Sequence, residues 1–186
     1  TASNTNATLP CEIFNYHKDK KTAVKYRLIL NGGVLCYDDT YPVFDWKFSS
    51  DDPIRIMGYS CCKASVSFAG REYSVWYSLD IPIPYGPYKF YGLPGLILKV
   101  EESEGMYIWE AFSIVKSSTP INEYTYEKEI RCSRQEADKT IGRMMRQPMT
   151  FLTASGSRLM VARSDGSFGA PENNEKENLY EPIELR

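Results

Sequence analysis

A long alternation of apolar and polar residues, broken once by a turn, constrains this chain more than any other feature. In "KASVSFAGREYSVWYSL", residues 63–79, Ala64, Val66 and Phe68 alternate with Ser65 and Ser67. Beyond Ala69-Gly70, Tyr73, Val75 and Tyr77 alternate with Ser74 and Trp76. Side chains on a strand change face at every residue, so the pattern predicts two half-buried antiparallel strands joined by that turn. Two further hairpins follow the same logic. "TAVKYRLIL" places Val24, Tyr26, Leu28 and Leu30 on one face with Lys25 and Arg27 on the other, then turns through Asn31-Gly32-Gly33 into "VLCY". "LPGLILKVEE" joins "MYIWEAFSIV" through Ser103-Glu104-Gly105, and Phe44, Trp46 and Phe48 alternate as in a short strand. Between the second and third hairpins runs "DIPIPYGPYKFYGLPG", with prolines at 82, 84, 87 and 94. Proline cannot donate to a ladder, so an extended surface connection is expected there.

One helix is predicted over about 133–147. Ser133 with Glu136 three residues later forms a capping box, Ala137, Ile141, Met144 and Met145 share a face, and Pro148 ends the run. "TFLTASGSRLMVAR" reads as more strand. The expected fold is mainly β, of the α+β class. It would be an antiparallel, hairpin-built curved sheet or partial barrel with one C-terminal helix packed on it. Residues 1–163 read as a single domain. Residues 164–186 read as a polar tail whose closing "NLYEPIELR" is a candidate for docking.

Composition narrows the function classes. With 22 Lys and Arg against 24 Asp and Glu, the net charge is −2, which argues against charge-driven binding to nucleic acid or anionic membrane. No stretch matches the run of about 20 apolar residues a membrane helix needs, so no transmembrane segment is expected. The polar opening "TASNTNATL" is not a signal peptide, as expected of a trimmed mature chain or of a cytosolic one. Five cysteines, Cys11, Cys36, Cys61, Cys62 and Cys132, cannot all pair within one chain. One or two disulfides and a set of buried thiols fit the sequence equally well.

Catalytic groups are scarce. His17, the single histidine, precedes Lys18, Asp19, Lys20 and Lys21 and reads as a solvated turn residue, which leaves a cysteine nucleophile without a base. The same scarcity, and the adjacency of Cys61 and Cys62, disfavour zinc; neither metal nor cofactor is expected. Phosphate-loop, dinucleotide, metalloprotease and nucleophile-elbow motifs are absent. Asp38-Asp39, Asp51-Asp52 and Glu101-Glu102 could serve acid–base or calcium chemistry, but adjacent acids in turns are mostly solvated. The aromatic load is the stronger signal. Tyr85, Tyr88, Phe90 and Tyr91 crowd one Pro/Gly-rich loop, Trp76 and Tyr77 end the strand before it, and Arg71 and Lys89 flank the group. Such residues suit a peptide, glycan or protein partner bearing carboxylates. Rings folded back over the end of the sheet would give the same composition.

Residues 58–98, from Gly58-Tyr59, Cys61 and Lys63-Ala64 through Gly70-Arg71, Trp76-Tyr77, Ile81-Pro82, Gly86-Pro87 and Lys89-Phe90, end in Gly92-Leu93-Pro94-Gly95-Leu96-Ile97. This stretch resembles the GLPGLI family of Bacteroidetes, whose usual ending is also similar to "EPIEL". Ser60 and Cys62 fall at variable positions of that pattern. The resemblance implies further N-terminal sequence and export, hence a periplasmic, outer-membrane-associated or secreted location. It implies no established activity. Within the motif, Gly92 and Gly95 are expected to let the chain bend and approach another backbone, with Pro94 stiffening the bend.

The expectation is therefore a non-enzymatic binding or accessory protein of the cell envelope, recognising a protein, peptide or glycan through the aromatic loop. The alternative is a carrier or chaperone of a lipid or other apolar ligand in a groove between sheet and helix. A hydrolase working through a carboxylate pair ranks third.

Overall fold

A computed structural model describes residues 10–30, 32–156, 160–162, 166–170 and 176–185. Along the chain, β1 (Cys11–Tyr16), β2 (Lys21–Arg27) and β3 (Val34–Asp39) form an antiparallel meander. The chain then builds β4 (Lys47–Phe48), β5 (Ile54–Ile56), β6 (Tyr59–Phe68), β7 (Arg71–Ser78), β8 (Leu96–Glu102) and β9 (Ile108–Glu110). It closes with β10 (Glu129–Arg131), α1 (Arg134–Arg146), α2 (Pro148–Ala154), β11 (Val161–Ala162) and β12 (Phe168–Gly169). The fold is mainly β with helices, as the alternation predicts. The sequence reads as one domain to residue 163, whereas the contacts divide into two compact units. Unit 1 holds residues 1–41 and 123–180, and unit 2 holds residues 42–122 and 181–186.

In unit 1 the sheet order is β1-β2-β3-β10, and β10 runs parallel to β3, an exception to the expected all-antiparallel pairing. Val24 is buried as predicted, but so is Lys25, assigned to the solvent face from sequence, and Leu30 is exposed. The Lys25 ammonium donates to the Tyr124 carbonyl at 2.7 Å and to Glu129 at 2.9 Å, with Glu123 at 3.3 Å. These partners lie about a hundred residues away, which is why periodicity cannot place them. Helix α1 starts where predicted. Ser133 accepts from the Glu136 N–H, and the Glu136 carboxylate accepts from the Ser133 N–H at 2.8 Å. Ala137 and Ile141 pack with Leu35, while Met145, expected beside them, is exposed. Pro148 ends α1 and also occupies the first turn of α2, where its missing N–H costs nothing. So 150–154, read from sequence as strand, is helical, and the expected single helix is two.

In unit 2 the order is β4-β6-β7-β8-β9, with β5 also on β6. The predicted pairing of β6 with β7 is present in register: Ala64 faces Val75, Val66 faces Tyr73 and Cys62 faces Tyr77. Ala69 and Gly70 both have positive φ, 49° and 79°, the twist-matched geometry of a two-residue hairpin. Pairing of β7 with β8 slips between Trp76 and Tyr77. That irregularity lets Ile97 join the core of Ala64, Val66, Tyr73, Val75 and Val100, while Leu98 joins Ile56 and Cys61 in a second cluster. The β8–β9 hairpin forms, but β9 stops at Glu110 and Phe112 and Val115 lie exposed. No disulfide joins any of the five cysteines, and burial raises the thiol pKa of Cys36, Cys61 and Cys132.

The GLPGLI stretch behaves as its glycines suggest. Gly92 has φ +92°, and a Cβ on Gly95 would lie 2.0 Å from the Ser78 carbonyl oxygen. Only glycine fits there. Leu93, Ile97 and Leu98 then enter the interior.

Candidate functional site

The loop between β7 and β8 divides into an exposed half and a buried half. Its first half, through Pro82, Ile83, Pro84 and Tyr85, is exposed, and Tyr85 shows 44% of its surface. Tyr85 bridges Tyr91, and the Ile97 N–H donates to the Tyr85 carbonyl at 3.0 Å, so the exposed ring stands on fixed backbone. Beside it lies a pocket of about 500 Å³. Tyr85, Gly86 and Pro87 form one wall, Leu96 to Leu98 the floor strand, and Ile108, Trp109, Glu110 and Ala111 the other wall. Tyr107, Trp109 and Tyr88 stack in series, with ring centroids 6.2 and 5.4 Å apart, which holds the indole in place.

The second half of the loop turns inward, in contrast to the surface connection expected from its prolines. Phe90 is buried among Phe44, Phe68, Tyr73 and Trp109. Tyr91 donates its hydroxyl to the Pro42 carbonyl, and Trp46 donates to the Tyr91 carbonyl at 3.1 Å. Tyr77 is buried in the same core. Trp76 is half-buried and sandwiched by Lys99 at 5.1 Å and Lys63 at 5.7 Å.

Arg71 and Lys89, the candidate partner-binding cations, are both buried and meet carboxylates of this chain. The Arg71 guanidinium lies 3.6 Å from Glu102 and donates to Glu181 at 2.6 Å, to the Pro182 carbonyl at 2.9 Å and to the Ile183 carbonyl at 2.9 Å. Burial works against that charge, but the hydrogen bond and charge of Glu181, with Glu102, more than offset it and raise the Arg71 pKa. Lys89 and the Tyr88 hydroxyl both donate to Glu184. Residues 181–184, near the end of the closing stretch, are thus tied to side chains of unit 2.

Five of the six acids in the three pairs meet a cation. Asp38 meets Lys21, Asp39 meets Arg134, Asp51 meets Lys63 and Glu101 meets Lys99. Glu102 accepts from the Glu104 and Met106 backbone N–H groups, tying the β8–β9 turn. His17 is not fully solvated: its Nδ1 lies 2.7 Å from the Tyr41 hydroxyl, and partial burial lowers its pKa. In unit 1, Arg27, Leu28, Gly33, Val34, Tyr126, Glu127 and Lys128 line a second pocket of about 680 Å³. It has one aromatic wall and mixed charge.

From the predicted residues the structure therefore brings Tyr85 to a pocket and Tyr88, Phe90 and Tyr91 to a core. Sequence reasoning missed Trp109, Ile108 and Glu110 as pocket walls. Their signal was present in the alternation of Tyr107 and Trp109, but it reads equally well as an ordinary strand. No helix among the described residues is long and apolar enough to cross a membrane.

A family described as "N-glycanase peptide, N-terminal domain" matches residues 1–138. Among solved structures, that of PNGF-II in the C2 space group is 21% identical with a TM-score of 0.53, over 69% of this chain and 24% of that one. The P21 form is 22% identical with a TM-score of 0.51, over 66% of this chain and 22% of that one. At these identities the likeness is one of fold, and this chain corresponds to less than a quarter of each PNGF-II chain. Comparison with curated proteins gives no match.

Proposed function

The chain belongs to the N-glycanase peptide N-terminal domain family, and from that premise we propose that it is a recognition module rather than a catalyst. On this reading it binds the carbohydrate of a glycoprotein at the pocket beside Tyr85. The observation that carries the proposal is that pocket of about 500 Å³, walled by Tyr85 and Trp109 and edged by the exposed Glu110. A sugar ring offers a flat C–H face to the exposed Tyr85 ring and hydroxyl donors to the Glu110 carboxylate. The family's name supplies the ligand class. The engagement of Asp38, Asp39, Asp51 and Glu101 in ion pairs supports binding without chemistry. An exported, envelope-associated setting, which the GLPGLI resemblance implies, belongs to the same reading.

The test titrates an N-glycopeptide, its sugar-free counterpart and the released oligosaccharide, following tryptophan fluorescence and calorimetric heat. Glycopeptide and oligosaccharide should bind, and the bare peptide should not. Tyr85→Ala should weaken binding about ten-fold with an unchanged circular dichroism spectrum. Equal binding of the bare peptide, or binding by none of the three, would overturn the proposal, and so would release of sugar during incubation.

A further inference from the structure

Residues 181–184 sit in a seat of their own in unit 2, beside the pocket and sharing with it the Tyr88 and Tyr107 rings that stack on Trp109. Five side chains surround residues 181–184, and all of them act as donors there. The Tyr107 hydroxyl donates to the Glu181 carbonyl at 2.7 Å, and Arg71 donates to the next two carbonyls and to the Glu181 carboxylate. Tyr73 reaches the Ile183 carbonyl at 3.4 Å, and Tyr88 and Lys89 reach the Glu184 carboxylate. The segment answers with acceptors, and its second residue is Pro182, which has no N–H to bury. Leu185 donates to the Ala69 carbonyl at 2.8 Å.

Charge points the same way. Among the described residues, the rest of unit 2 buries two cations, Arg71 and Lys89, and one carboxylate, Glu102. Glu184, whose side chain is 6% exposed, brings the second carboxylate. A buried charge must be matched, so the socket calls for an anion at that position. Shape adds a further restriction: a Cβ on Gly70 would lie 2.9 Å from the Leu185 Cβ, so the hairpin turn itself is cut to seat the segment.

We propose that Arg71, Tyr73, Tyr88, Lys89 and Tyr107 form a peptide-recognition site for the motif Glu-Pro-x-Glu, filled in cis by residues 181–184. The same motif supplied on another chain competes for it. A tethered segment acts at an effective concentration on the order of millimolar, so the unaltered chain should bind such a peptide only weakly.

The experiment uses the full chain carrying Glu181→Ala and Glu184→Ala, and a fluorescein-labelled peptide Glu-Pro-Ile-Glu-Leu read by anisotropy. The altered chain should bind the peptide at least about ten-fold more tightly than the unaltered chain does. A peptide with Gln for its second Glu should lose most of that affinity. Should the altered chain fail to fold, the unaltered chain answers through hydrogen exchange. Excess peptide should speed exchange at the Leu185 amide, which loses the Ala69 carbonyl when the segment leaves, and the Gln peptide should not. No binding to a folded altered chain, equal binding of the two peptides, or an unmoved Leu185 amide would each overturn the proposal.

Discussion

Within twelve residues of one loop, aromatic side chains serve opposite ends. Tyr85 stands exposed beside a pocket, whereas Phe90 and Leu93 are almost wholly buried. The composition of the two halves is nearly the same, and proline and glycine punctuate both. What separates them is backbone direction. Tyr88 has φ 57° and Gly92 has φ +92°, and these left-handed residues turn the chain inward at each end of the buried stretch. An aromatic, proline-rich loop is thus not in itself a binding surface.

The largest test of that division is Phe90→Ala. Removing a ring packed on Phe44, Phe68, Tyr73 and Trp109 should cost about 3–5 kcal/mol in urea unfolding, and a cost below 1 kcal/mol would break the comparison. Glu184→Ala should come next, at about 3 kcal/mol, because it strips a carboxylate from the buried Lys89. Lys89→Met combined with Glu184→Met should recover most of that loss, which separates charge burial from packing. On the exposed side, Tyr85→Ala should move stability by no more than about 0.5 kcal/mol while weakening sugar binding.

The smallest effect sharpens the contrast from outside the loop. Ser133 backbone and hydroxyl hydrogen bonds hold the Glu136 carboxyl below its ordinary value of 4.5. The unfolded chain therefore takes up that proton at higher pH than the folded one. The cap contributes fully above that value and is lost as pH falls through the lower folded pKa. Both helices lie in unit 1, while Trp46, Trp76 and Trp109 all lie in unit 2. Far-UV helical signal should accordingly decline on acidification below about pH 4.5. Glu136→Gln should flatten that decline without disturbing the tryptophan signal.

Sequence made local features legible and long-range ones opaque. The β6–β7 register, the Ala69-Gly70 turn and the Ser133–Glu136 box each depend on residues within fifteen positions, so period and capping rules reach them. Lys25, Arg71 and Lys89 look like surface cations because their carboxylate partners lie 31 to 110 positions further along the chain. The helix over 150–154 was lost to a β-branched, aromatic composition that Pro148 overrides by starting a new turn. Gly95 was readable as a close approach, but not that the neighbour would be the Ser78 carbonyl. Trp109 was hidden because a pocket wall and a core strand share one alphabet.

A seat whose cationic walls, Arg71 and Lys89, carry donors and no acceptor also works by exclusion. An ordinary extended peptide carries an N–H at every residue, and one turned toward the Arg71 guanidinium would be stranded against another donor away from water. Sticky strand edges, the usual intruders in a β-rich protein, would meet the same refusal. Pro182 is then less a stiffener than an entry permit: where the Arg71 guanidinium takes its carbonyl, it has no N–H to strand.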